Sequence, residues 1–178
     1  MEEWGYAYLK LDFLYAGALP GQRYNPTLTR AQAYRHALTI IRQVAGDKVF
    51  LVGCGAPLGP SIGLVDAMRI GPDTAPTWEP DVPKLFSFLK RDPGLPSLRN
   101  SLRNVATRTW MHNRWWTNDP DTLLMRSTQT QLTEDEVIAQ ATLIGLSGGL
   151  LLLSDKLDAL SSERRARVAA LFPSLLEG

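Results

Sequence analysis

Val65-Asp-Ala-Met-Arg-Ile-Gly-Pro-Asp73 reads as a short apolar strand that runs out into glycine, proline and a carboxylate. Upstream, Tyr8-Leu-Lys-Leu-Asp12 follows the same plan, an apolar run with an aspartate at its C-terminal end. Between them, residues 49–52 form another apolar run, closed by Gly53-Cys54-Gly55. Short apolar runs bounded by turn signals fit strands buried in a parallel sheet.

The segments around these runs alternate with them. Thr29-Arg-Ala-Gln32 has the spacing of a capping box. Apolar residues then recur at Ala33, Ala37, Ile40, Ile41 and Val44, which predicts a helix with that face inward, stopped at Gly46. Only residues 56–64 lie between the second and third runs, the lower limit for a crossover between parallel strands, so no full helix is expected there. A short helix is expected at 82–90. A longer one at 97–107 places Leu98, Leu102, Val105 and Ala106 on one face. Residues 108–111 read as the start of a strand toward Trp115-Trp116, and Asn118-Asp-Pro-Asp121 as a turn. Thr133-Glu-Asp-Glu136 opens a second capped helix, which Gly148-Gly149 closes. Residues 150–153 read as a strand, and 162–172 as an amphipathic helix stopped by Pro173. Strands alternating with helices predict an α/β fold with a parallel sheet. The expectation is a single domain over residues 1–178.

Composition sets the outer bounds. The chain has 178 residues, 44% hydrophobic and 21% charged, enough for one domain with a core. A net charge of +1, with basic and acidic residues interspersed, offers no field for a polyanion. Neither nucleic acid nor a membrane surface is an expected partner. Cys54 is the only cysteine, so no intrachain disulfide forms and a reducing, cytoplasmic setting is favoured. Met1-Glu-Glu-Trp4 lacks the basic and apolar regions of a signal peptide, and no apolar run approaches a membrane span.

Polar chemistry gathers at the strand ends: Lys10 and Asp12, Gly53 to Gly55, Asp66 to Asp73, Asn118 to Asp121, and Ser154-Asp155. In α/β folds ligands bind outside the carboxyl ends of the strands. Asp12 and Asp73 would lie two strands apart, their backbones about 9–10 Å apart at the usual strand spacing. Inward-pointing side chains would bring the carboxyls to about 5 Å, the separation of a retaining glycosidase, whereas about 7 Å would fit an inverting one. From spacing alone, each aspartate reads first as an N-cap or turn former. Lys10 points to the same face as Asp12, and a buried Lys–Asp pair is costly without a purpose, which favours function. Arg69 either holds a substrate hydroxyl or an aspartate, or is a surface arginine. Trp78, Trp110, Trp115 and Trp116 either stack on a sugar or fill core. Cys54 is a packing site or a ligand contact. His36 and His112 are isolated, so no metal site is expected, and with no glycine-rich phosphate loop no cofactor is expected either.

Several longer stretches resemble one family. These are Tyr8-Leu-Lys-Leu-Asp-Phe-Leu-Tyr-Ala-Gly-Ala18, Gly53-Cys-Gly-Ala-Pro-Leu-Gly-Pro60, Met68-Arg-Ile-Gly-Pro-Asp-Thr-Ala-Pro76, Arg114-Trp-Trp-Thr-Asn-Asp-Pro-Asp121 and the Gly-Leu-Ser-Gly-Gly at 145–149. In this order they look like the bacterial α-galactosidases of the melibiase type, glycoside hydrolase family 36. The resemblance implies a (β/α)8 TIM-barrel-type fold and a retaining double displacement on terminal α-galactosides such as melibiose or raffinose. It assigns Asp12 as nucleophile and Asp73 as general acid and base. It assigns Lys10, Cys54 and Arg69 to the sugar. A barrel takes about 250 residues, so the expectation is only its C-terminal portion, about five strands. An open half-barrel would look for a complementing half or a second copy. Two other readings stay open: a transglycosidase of the raffinose-synthase type, and a non-catalytic truncated fragment.

Overall fold

In the computed structural model, which describes residues 5–172, the apolar runs become strands β1 (Tyr8–Leu11), β2 (Phe50–Gly53) and β3 (Ala67–Arg69). The first two are parallel, with Tyr8 opposite Phe50 and Leu11 opposite Gly53. The next pair is also parallel, with Val52 opposite Ala67 and Gly53 opposite Met68. Strand β4 (Thr117–Asp119) completes the sheet in the order β1-β2-β3-β4. The acidic residues 1–4 and the helix stop at Pro173 lie outside the described residues.

The chain divides into two compact units: the residues through Arg69 with Met111–Asn118, and Ile70–Trp110 with the residues from Asp119 onward. In the first unit, α1 (Arg30–Ala45) starts at a complete capping box. Thr29 Oγ1 accepts from the Gln32 amide, the Gln32 side chain accepts from the Thr29 amide, and Gly46 ends the helix at φ 71°. The expected inward face is displaced. Tyr34, Leu38 and Ala45 are buried, whereas Ile40, Ile41 and Val44 are exposed. The guanidinium of Arg42 decides the rotation. It donates to the carbonyls of Leu64 (3.1 Å) and Val49 (3.0 Å) and pairs with Asp66 at 2.5 Å, and that brings the Tyr34–Leu38 face onto Leu51, Val65 and Met68. The β2–β3 connection holds only the four-residue α2 (Leu58–Ser61), as its length requires.

Two further expectations change. Strand β1 is half-buried rather than buried: Leu9 and Leu11 face the core, while Tyr8 and Lys10 are exposed. Among the described residues it pairs with β2 alone. Residues 108–111 are not a strand. Helix α3 (Leu98–Arg108) continues into a 3₁₀ turn at Thr109–Met111, and the strand lies instead at β4, inside the expected turn. The Thr109 backbone remains helical, so the chain straightens only after the Asn113–Trp116 bend.

In the second unit, β5 (Thr122–Leu123) and β6 (Leu152–Leu153) pair in parallel. Helix α4 (Glu134–Ser147) begins at the Thr133–Glu136 capping box and ends at Gly148, and α5 (Ser162–Leu171) is capped by Ser161. Leu123, Met125, Val137, Ile144, Leu160 and Val168 form its core. Gln140, fully buried, donates to the Thr122 carbonyl at 2.9 Å and accepts from the Leu124 amide at 3.0 Å. No helix among the described residues is long and apolar enough to cross a membrane.

Candidate active site

Asp12 stands one residue beyond β1, where the chain turns. The ladder continues one step past the strand, since the Cys54 amide donates to the Leu11 carbonyl at 2.8 Å. The amides of Leu14 and Tyr15 then donate to the carbonyls of Cys54 and Gly55 at 3.2 and 2.6 Å. These bonds hold Phe13 at φ 53°, ψ 30°, a left-handed conformation that a bulky aromatic rarely adopts. The strained turn aims the Phe13 amide at Asp12 Oδ1, 2.7 Å away. Gly55 also has positive φ, +54°, a conformation that glycine adopts without strain.

The Cys54 thiol donates to the Asp12 carboxylate. Together with the Phe13 amide and the positive charges of Lys10 and Arg69, it holds the Asp12 carboxyl below its usual 3.8. The same geometry acts in reverse on Cys54. Burial first, and then its bond to Asp12, push the thiol up to about 11, so it is a neutral donor and not a nucleophile. Cys54 and Arg69 are both buried, while Lys10 and Asp12 are exposed. The two residues expected to form a buried Lys–Asp pair are therefore both exposed. Lys10, Asp12, Cys54 and Arg69 are brought together within the first unit.

Asp73 belongs to the second unit and is exposed on the loop that begins at Ile70. That loop has no regular structure but is tied down along its length. The Ile70 amide donates to the Asp119 carbonyl at 3.0 Å, and Arg108 donates to the Ile70 carbonyl. Thr74, the residue after Asp73, donates its amide to Asp121 Oδ2 at 2.7 Å, and its hydroxyl lies 3.2 Å from Ser101 Oγ. Asp121 has φ 75°, and its own amide donates to Asp119 Oδ1 at 2.9 Å.

The other polar strand ends serve the backbone. Asp66 accepts from the Leu51 amide at 2.7 Å besides pairing with Arg42. Asp155, its side chain 1% exposed, accepts from the amides of Met125 and Arg126 and pairs with the Arg126 side chain. Trp116 is core and donates to Asn118 Oδ1 at 3.2 Å, whereas Trp78 and Trp110 are exposed. His112 Nδ1 accepts from the Asn118 amide at 3.2 Å. Among the described residues no group of three or more histidines, cysteines or acids could hold a metal. Sequence reasoning missed Phe13 and the link from Asp121 to Thr74. Neither strain at an aromatic nor a bond across 47 positions leaves a local pattern to read.

No protein-family model matches the chain. Solved structures do. TtGalA, an α-galactosidase from Thermus thermophilus whose complex with stachyose has been solved, is 38% identical over 96% of this chain, with a TM-score of 0.79. The chain is similar to part of an α-galactosidase. It covers 35% of that protein's length. The same Thermus α-galactosidase in complex with p-nitrophenyl α-D-galactopyranoside matches with the same identity and TM-score, over 97% of this chain and 33% of its own. α-Galactosidase I from Mortierella vinacea, at 18% identity, shares the fold alone, with a TM-score of 0.63 over 96% of this chain and 43% of its own. These α-galactosidases are TIM-barrel glycosidases, so the barrel-type α/β expectation is borne out for the part that the chain spans, about a third of the Thermus protein.

Proposed function

We propose that the chain carries the catalytic carboxylates of a retaining α-galactosidase of the melibiase type. The observation that carries this reading is the setting of Asp12. It is exposed at a strand end and kept ionised by the Cys54 thiol, the Phe13 amide, Lys10 and Arg69. An exposed, ionised carboxylate on a hydrogen-bonded turn is what attack on a sugar carbon needs. The complexes of the Thermus relative with stachyose and an aryl galactoside supply the substrate class.

In this reading Asp12 attacks the anomeric carbon of an α-galactoside while the bond to the leaving oxygen breaks. Asp73 gives its proton to that oxygen. Water then attacks the same carbon and gives up a proton to Asp73. The bond to Asp12 breaks, and galactose leaves with its configuration retained. Lys10, Arg69 and Cys54 hold sugar hydroxyls beside the nucleophile, and residues 1–178 act as one domain. With one thiol in the sequence, the reading keeps the protein in the reducing cytoplasm. Where a sugar replaces water as acceptor, the same chemistry ends in transfer; products formed from raffinose with excess acceptor separate the two outcomes.

The test is Asp12→Gly assayed on p-nitrophenyl α-galactoside. The variant should lose turnover by at least about a thousandfold. Added azide should restore nitrophenol release and give the β-galactosyl azide, because the anion enters from the face that Asp12 vacates. A variant that keeps its activity rules out Asp12 as nucleophile. A wild-type chain with no measurable turnover, folded by its melt, favours the non-catalytic reading.

A further inference from the structure

Asp121 sits at the end of Asn118-Asp-Pro-Asp121, a segment whose simplest use is a turn. Its conformation and contacts exceed that use. At φ 75° glycine or asparagine costs less than aspartate, so turn geometry alone does not call for a carboxylate. The strained backbone is held by the bond from the Asp121 amide to Asp119 Oδ1 at 2.9 Å. So held, the Asp121 carboxylate reaches the Thr74 amide at 2.7 Å. An amide–carboxylate bond is charge-assisted, about twice as strong as a neutral one. It fixes the peptide between Asp73 and Thr74, in a loop with no strand or helix to fix it otherwise. The Thr74 hydroxyl, 3.2 Å from Ser101 Oγ, secures the same residue from α3, and Ser101 Oγ in turn donates to the Pro120 carbonyl at 3.5 Å.

We propose that Asp121 is a positioning residue for Asp73, setting the peptide from which the proton-donating side chain projects. This rests on the reading of Asp73 as general acid. Proton transfer requires heavy atoms within about 2.6–3.2 Å, and displacement by about 1 Å costs about a hundredfold. Losing the tether should therefore affect protonation of the leaving oxygen far more than attack by Asp12.

The leaving group separates the two. In the 178-residue chain, Asp121→Gly keeps a residue at ease with φ 75° and removes the carboxylate; Asp121→Asn keeps a carbonyl acceptor for the Thr74 amide. On melibiose, whose sugar must be protonated to leave, Asp121→Gly should lower kcat/KM by about ten- to a hundredfold. On 2,4-dinitrophenyl α-galactoside, which leaves without a proton, the loss should stay within about threefold. Asp121→Asn should recover most of the melibiose activity, and both variants should melt as single transitions. Equal losses on the two substrates, or no rescue by asparagine, would overturn the proposal. Asp73→Ala is the companion: if it shows no leaving-group selectivity, the reading of Asp73 falls. If it is selective and Asp121→Gly is not, the positioning role alone falls. Should the chain not turn over, amide exchange decides. Thr74 exchange should quicken at least about tenfold in Asp121→Gly and stay slow in Asp121→Asn, and an unchanged rate in the glycine variant refutes the tether.

Discussion

Replacing Gln140 by leucine tests how the second unit holds β5. Gln140 is 0% exposed and its side chain bonds twice to backbone, from the Leu124 amide at 3.0 Å and to the Thr122 carbonyl at 2.9 Å. Leucine exceeds glutamine by about one methylene in volume, so it leaves no cavity, and its packing is the smaller part of the cost. The cost comes from the orphaned backbone. A buried amide left without an acceptor costs about 1–3 kcal/mol, and the lost bond to the carbonyl about 1 kcal/mol more. The sum is about 3 kcal/mol. At about 2–4 °C per kcal/mol for a chain of this size, the midpoint should fall by about 6–12 °C. Urea unfolding followed by circular dichroism gives the free energy, and a calorimetric scan gives the midpoint. A loss below about 1 kcal/mol would refute the reasoning, because it would mean that water or another group satisfies the Leu124 amide. The result also bears on the site, since Thr122 follows Asp121 in sequence.

Three further outcomes follow from the first unit. With its thiol near 11, Cys54 is only about 0.1% thiolate at pH 8, so iodoacetamide should label the folded chain far more slowly than the urea-unfolded one by mass spectrometry; equal rates would contradict its burial. Cys54→Ala removes the largest influence that depresses Asp12, so the acid limb of kcat/KM should move to higher pH, and a shift the other way would exclude the thiol as donor. The associated stability has the usual sign for a depressed carboxylate. It is present above 3.8 and is lost as pH falls through the lower folded value, and the exposure of Asp12 keeps it below about 1 kcal/mol. Arg42→Met breaks the Asp66 pair and three bonds to carbonyls, and should cost about 2–4 kcal/mol in urea unfolding, where a near-neutral change would show that the guanidinium is dispensable.

Local sequence was enough wherever one short stretch controls its own conformation. Thr29 with Gln32 and Thr133 with Glu136 are caps closed between residues three apart, and both helices begin where those signals stand. The apolar runs around Leu9, Leu51 and Met68 became strands for the same reason, and the shortness of residues 56–64 excluded a long crossover helix. Lys10, Asp12, Cys54, Arg69 and Asp73 stood among the polar strand ends that mark the ligand-binding side of an α/β fold, and the family resemblance singled them out from that larger set.

Tertiary structure alone decided the rest, because each remaining feature depends on partners far apart in the chain. Ile41 and Val44 have the period of a buried face, yet Arg42 reaches Leu64, Val49 and Asp66 and turns Tyr34 and Leu38 inward instead. Residues 118–121 have turn chemistry, yet Thr117–Asp119 joins a sheet, since the Thr117 amide finds the Asp66 carbonyl at 2.8 Å. The strain at Phe13 exists only because Cys54 and Gly55 offer carbonyls to the amides of Leu14 and Tyr15. That Asp12 is held ionised by the distant Cys54 thiol, and that Asp121 is tied to the neighbour of Asp73, are consequences of packing. Periodicity and caps act over a turn of helix or a strand. Hydrogen bonds that set a side chain's ionisation or aim act over a few ångströms of space, wherever the fold brings the chain back.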